Sequence, residues 1–559
     1  MSKNKSIFNL RSLFFVGISM LLLYACNNDD DQTYEQTRLF RPVLNEDLYS
    51  VGNTIIVNMG KLKSAVGYTL EVSRDTFQTV DYTIEIDTNY VEINKDLVGE
   101  ELFWNTLYQV QATAHAEDPQ YDSKVSELGN VRTQRFPTIL NIPAVYDVTD
   151  IAARVTWEVA GAAVTGIKVF AATDLRLEEP LFDETPVSEE ENLAGEGFVY
   201  GLSPETEYQI AIYSGEDLRG WVNYTTKLAD VDPTDPNVID LREDESPEAV
   251  ANAVAMAPDG AIILVKRGVS YDLPEDALDK SITIRAAYGF GEKKARLYTT
   301  GNWNIAGGSN IDHIHFVDLE IRGADYSGDY VFNPNTSDVY VRELLFDNCQ
   351  IGTFRGIMRI RGTVEIDNYK IMNSVVDSIG GYGLATADTD PAGAGETQTA
   401  RFNNIIFENS TFNKIDTGIQ SRNNSQTLVI ESCTFANFIN TGGRLFRYRG
   451  GDGNDNVISG ITISNSIFGH SWDQSDSESY GIQGIGQGLG NTPISLSNIY
   501  STANFSFNSG SEIPGFPVAN YSGTQDDLWV DPANNDFNIQ DNGFSGKYDT
   551  GDPRWRVKL

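Results

Sequence analysis

Five arginines in the second half of the chain carry its clearest chemistry. Arg359 and Arg361 lie in RGIMRIRG from Arg355, Arg422 in TGIQSRNN from Thr417, and Arg447 and Arg449 in GGRLFRYRG from Gly442. A spacing of two puts each pair on one face of a strand, with Met358 and Ile360, or Phe446 and Tyr448, on the other. A guanidinium is a planar fork that takes a carboxylate through two parallel hydrogen bonds, so a strip of such forks could hold a uronic-acid chain. The same arginines could instead pair with nearby acids, Glu365, Asp388 and Glu431, on a solvated sheet. Residues 351–450 hold ten Lys or Arg against nine Asp or Glu, inside a chain whose formal charge is −38. The strip is thus a local exception to strong acidity, and that acidity argues against a nucleic-acid partner.

Other residues offer weaker chemistry. Trp472 in GHSWDQSDSESYG and Trp303 in GNWNIAGG could each stack an indole on a sugar face, or simply anchor a loop. Lys414 and Arg422 could act as base and stabiliser if a proton α to a uronate carboxyl were abstracted. Asp388 and Asp390, in TADTDPAG, have the oxygen chemistry for Ca²⁺ as a cofactor, although the string is equally an ordinary polar turn. His313 and His315 share a strand face with no third metal ligand apparent.

Six short segments must position these residues: FVDLEI from Phe316, FDNCQI from Phe346, IMNSVV from Ile371, FENSTF from Phe407, IESCTF from Ile430 and ISNSIF from Ile463. Their third positions are Asp318, Asn348, Asn373, Asn409, Ser432 and Asn465. One polar residue per repeat, at variable intervals, predicts a solenoid of parallel rungs from about Ile282 to Ile499, with side-chain amides bonded up the stack. Cys349 and Cys433 take equivalent positions three rungs apart, about 14 Å at roughly 4.8 Å per rung, which is too far for a disulfide.

At 559 residues the chain needs several domains. Trp157 in RVTWEV and the string Leu202-x-Pro204-x-Thr206-x-Tyr208 before a strand resemble fibronectin type III domains, with core Trp and tyrosine corner, over 136–230. NTLYQVQATA, with Tyr108 as corner, is a weaker version over 38–135. Both read as spacers. After the linker ADVDPTDPNV, a short helix and strand in SPEAVANAVAMAPDGAIILVKRGVSYDL resemble the N-terminal cap of pectate-lyase-like β-helices, placing a right-handed parallel β-helix over 231–500. In 501–559, a C-terminal cap segment, LWVDPANNDFNIQD and GDPRW resemble the close of an uncharacterised tandem family that follows fibronectin modules in surface lipoproteins of polysaccharide-utilisation systems.

Lys3, Lys5 and Arg11 precede an apolar stretch ending in Leu23-Tyr24-Ala25-Cys26. This is a secretory signal over 1–25 that resembles a bacterial lipobox, which makes Cys26 the lipid-bearing residue. The acidic tether 26–37, beginning with NNDDD after Cys26, looks like the tag that sends such lipoproteins to the outer face of the outer membrane. The expectation is a mainly β, lipid-anchored surface protein that binds an acidic, pectin-like polysaccharide through its β-helix, beside a glycan-import complex. The rivals are a β-helix lyase acting on uronate chains and a structural or adhesive surface protein. Polygalacturonase strings and the R-x-P-x-x-R string of well-known pectate lyases are missing, so the non-catalytic reading is preferred.

Overall fold

The computed structural model describes residues 37–389, 400–449, 456–475 and 478–558. Cys26 and Asp390 therefore lie outside the described residues. The chain is mainly β. It divides into two compact units, one of Met1–Asn141, Trp157–Gly195 and Tyr208–Asn223, the other of Ile142–Thr156, Glu196–Glu207 and Tyr224–Leu559. Strands of the second expected sandwich fall in both, so the compact units do not follow the division at residues 135 and 230. Ala152–Thr156 and Glu196–Tyr200 pair antiparallel in a two-stranded sheet of their own.

In the first unit, antiparallel strands form one three-stranded and two four-stranded sheets. Strict alternation in Leu107–His115 turns Tyr108, Val110, Ala112 and Ala114 into the core, opposite Leu70 and Val72 of Gly67–Ser73. The Tyr108 hydroxyl accepts a hydrogen bond from the Phe103 amide at 2.9 Å, the local clamp expected of a tyrosine corner. Trp157 is buried, as expected of a core residue.

The second unit is built on parallel strands in three columns, each circuit of the chain adding one strand to each column. In the first column the six repeats stack in register: Phe316 on Phe346, then Ile371, Phe407, Ile430 and Ile463, with a seventh at Leu496. The second column stacks Ile351, Val376, Phe412, Phe435 and Phe468. The third stacks Phe332, Met358, Ala385, Ile419, Phe446 and Ile485. All but Leu496 and Ile485 are buried in one continuous apolar core, and those two pack against it. Trp303 belongs there too. It is completely buried, its ring is stacked on Phe332 at 5.3 Å, and its indole N–H donates to the Asp276 carbonyl. It cannot meet a sugar.

The polar third positions work differently from the expected amide ladder. Asp318, Asn348, Asn373, Asn409, Ser432 and Asn465 all have φ between 49° and 59°, as does Asn498 at 49°. They form the left-handed corner between the first and second columns, where Asn and Asp are the residues with a side chain best tolerated. Amide bonds up the stack occur at Asn348 to Asp318 and Asn498 to Asn465, both 3.0 Å. Asn373 turns instead to Asp347, and Asn409 to Glu408. Backbone geometry, more than the ladder, selects the residue. One position on, Cys349, Ser374, Ser410, Cys433 and Ser466 fill a second polar stack; the Cys349 and Cys433 amides donate to Ser374 and Ser466 hydroxyls at 2.9 and 3.1 Å. Both thiols are free and buried.

The helix Ala249–Met256 buries Ala249, Val250, Ala253 and Val254 in the core. The tail is more than a cap. Ser506–Phe507 and Ala519–Asn520 extend the columns, but the chain beyond then returns along the outer face of the second column. There Leu528, Trp529, Phe537 and Phe544 pack on Ala436 and Ile467. The GDPRW string closes on the same strands: Thr411 donates to Asp552 at 2.8 Å, Trp555 donates to Thr411 at 2.7 Å, and the Asp552 amide donates to Thr434 at 2.9 Å. Gly551 has φ +74°, and a Cβ there would sit 2.9 Å from Ile467 and 2.7 Å from Thr434, so only glycine fits.

Candidate functional site

The third column brings the five arginines together. Its ladder pairs Arg359 with Thr386 and Gln420 with Arg447. Two residues on, the amides of Asp388, Arg422 and Arg449 donate to Ile360, Ala387 and Ser421 carbonyls at 2.9, 3.0 and 2.7 Å, which sets Arg361, Asp388, Arg422 and Arg449 side by side on four circuits. Met358, Ile360, Phe446 and Tyr448 face the core and are fully buried. Period-two alternation therefore turns all five arginines outward.

Of the described residues, one carboxylate stands among them. Asp388 accepts from Arg359 at 2.7 Å on one oxygen, and from Arg449 at 2.8 Å and Arg422 at 3.3 Å on the other. Burial pushes its pKa up, but the bonds to Arg359 and Arg422 outweigh this and hold the carboxyl below its ordinary value. Arg361 donates to the Asn333 side chain at 3.1 Å. Its pKa is lowered, first by burial and then by the Arg359 charge. Arg447 has no carboxylate partner among the described residues; burial, then Arg449, Arg444 and Arg422, depress its pKa. The Nε groups of Arg359, Arg361, Arg447 and Arg449 are buried without hydrogen-bond partners among the described residues. Tyr382 completes the face, with Arg359 4.0 Å and Arg355 4.8 Å from its ring centre. Neither Tyr382 nor Arg355 was legible as a site residue, although both belong to the segments that carry this column. Of the expected acid partners, Glu365 binds Arg401 at 2.8 Å.

Two expectations fail at this site. Asp388 is no Ca²⁺ ligand, because its oxygens are taken by three guanidiniums whose charge would repel a cation. Among the described residues no group of three or more His, Cys, Asp or Glu is placed to hold a metal ion; His313 and His315 turn to Asp312 and Glu343 instead. Lys414 and Arg422 do not form a base–stabiliser pair. Lys414 lies on the second column and donates to the Ala533 carbonyl at 2.9 Å, whereas Arg422 lies past the third-column strand, on Asp388.

Lys414 and Trp472 instead line one pocket, with Asn437, His470, Glu478 and Tyr480, of about 400 Å³ at the turn between the second and third columns. Trp472 is half-buried, edge-on to Tyr326 at 5.8 Å.

Two family models match the chain. Both describe domains of unknown function, DUF4957 over residues 270–415 and DUF5123 over residues 405–555. They meet inside the second unit, and the second runs through the GDPRW string. No curated protein matches. Among similar solved structures are the chicken CNTN1 FN1–FN3 domains, 16% identical, with a TM-score of 0.16, covering 34% of this chain and 69% of that one. A two-domain fibronectin type III segment of chicken tenascin is 17% identical, with a TM-score of 0.15, covering 34% and 99%.

Proposed function

We propose that this protein is a lipid-anchored surface module that binds an acidic, uronate-containing polysaccharide along the arginine face of a right-handed parallel β-helix. Three columns of parallel strands, one strand per column per circuit, support the β-helix, and the general right-handedness of parallel crossovers supports its hand. One observation carries the function: among the described residues a single carboxylate, Asp388, answers Arg359, Arg422 and Arg449, while Arg447 beside them pairs with none, in a chain of net charge −38. Such a face attracts anions where the rest of the surface repels them. Guanidiniums on adjacent circuits repeat at about 4.8 Å, so several sugar carboxylates can be engaged at once and weak contacts sum. The signal and Cys26 supply the anchor, with the acidic run after it directing the module outward.

The test is retardation of the protein in gels containing polygalacturonate, alginate or a neutral glucan, with absorbance of unsaturated ends followed in parallel. Retardation by an acidic polymer without new absorbance is expected. New absorbance would make the protein a lyase, and no retardation by either acidic polymer would remove the binding function.

A further inference from the structure

The pocket around Trp472 differs in chemistry from the arginine face, and its side chains are held in place. The Trp472 amide donates to the Ile439 carbonyl at 2.8 Å, and Asn440 pairs with Trp472 as a bridge to the preceding circuit. Tyr326 braces the indole, and Gln474 ties this loop to Asp416 at 2.6 Å. Tyr480 lies against His470, with ring centres 4.3 Å apart and planes tilted by 34°.

Its polar groups come in both senses. Lys414 spends one of three ammonium hydrogens on Ala533, leaving donors for a guest. The His470 Nδ1 lies 2.6 Å from the Ser471 carbonyl oxygen, which can only accept, so Nδ1 carries a hydrogen. Burial lowers the pKa of this ring, which favours the neutral form with Nε2 as an acceptor. Asp473 and Glu478 at the rim add negative charge. A carboxylate guest would meet these acids with Lys414 as the one cation among the described lining residues. A hydroxyl-rich, uncharged ring finds donors, acceptors and two aromatic walls.

We propose that this pocket is a second saccharide site that takes a neutral pyranose, so that the protein recognises glycans carrying neutral as well as acidic sugars. This extends the polysaccharide-binding reading above but uses none of the arginines.

Affinity electrophoresis of the full-length protein in gels containing galactan, glucan, mannan or xylan tests it, with polygalacturonate as a separate arm. At least one neutral polymer should retard the wild type. Trp472→Ala should weaken that retardation about tenfold, the scale of a lost aromatic contact in a desolvated site. Lys414→Ala, a change at a partly exposed side chain, should weaken it too and serves as the second variant should Trp472→Ala misfold. Retardation by none of the four polymers, or by one with both variants unaffected, overturns the proposal. A neutral polymer binding while polygalacturonate does not would overturn the arginine reading and leave this pocket standing.

Discussion

Arg449 and Asp388 stand 61 residues apart in the sequence and 2.8 Å apart in space. The bond joins non-adjacent circuits, and Arg359 and Arg422 close on the same carboxylate. Asp388 thus holds together charges that would otherwise repel, while occupying the place a ligand carboxylate would take. Asp388→Asn is expected to lower stability by about 1–3 kcal/mol and to raise affinity for polygalacturonate. Thermal melts and gel retardation of the same sample would show the two opposite signs. Because the folded pKa is depressed, the stabilisation is full above the ordinary carboxylate value of 3.8 and is lost as pH falls through the folded value. The melting difference between wild type and variant should therefore vanish in strong acid.

Arg447 separates binding from stability. It has no carboxylate partner among the described residues. Arg447→Ala should leave the melting temperature within about a degree or two, as for a surface change, yet weaken retardation by polygalacturonate and flatten its salt dependence. Arg359→Ala should lower both, since it also strips a bond from Asp388 and a cation from the Tyr382 ring.

The left-handed corners can be tested at Asn409, whose side-chain amide reaches only Glu408, at 3.4 Å, among the described residues. If backbone conformation selects the residue, Asn409→Gly should be nearly neutral, while Asn409→Ala should cost about 1–2 kcal/mol for a Cβ at φ 49°. Equal losses in urea unfolding would restore the amide ladder as the cause.

Asp552 predicts an opposite pH trend in the tail. It is 2% exposed, and burial raises its pKa. A carboxyl whose folded pKa is raised favours the fold while protonated, and that advantage disappears as pH rises from the unfolded value through the folded one. Amide exchange around Gly551, corrected for intrinsic rate, should be slower at pH 5 than at pH 7, and Asp552→Asn should remove the difference.

Cys349 and Cys433 should resist thiol reagents in the native protein. Burial pushes the Cys349 thiol up to about 12 and the Cys433 thiol higher still, so little thiolate forms. Reaction with Ellman's reagent should appear only with unfolding.

The sequence made the stacking legible because the apolar positions and the polar corner recur together, and repetition exposes what one strand would hide. Phe316, Phe346, Ile371, Phe407, Ile430 and Ile463 fall in one column for that reason. The outward turn of the arginines followed from alternation alone. What joins circuits was illegible. That three arginines share Asp388 depends on the register of separate strands, which local pattern does not reveal, and Trp303 looked exposed because its neighbours are glycine and asparagine. Lys414 and Arg422 looked close by sequence distance, yet a bend between columns turns them to different surroundings.

The returning tail bears on how the stack comes apart. Within a few residues it donates from Arg554 to the Asn373 carbonyl at 2.7 Å, accepts from Thr411 and donates to Thr434 through Asp552, and donates from Gly551 to the Asn465 carbonyl at 2.8 Å. Circuits in a simple array hold only their neighbours, so they can fray from an open end one at a time. Here one clasp grips four circuits at once, and none of the four can peel away while it is shut. Fraying gives way to a single cooperative opening, in which the last portion of the chain governs the lifetime of circuits built far earlier.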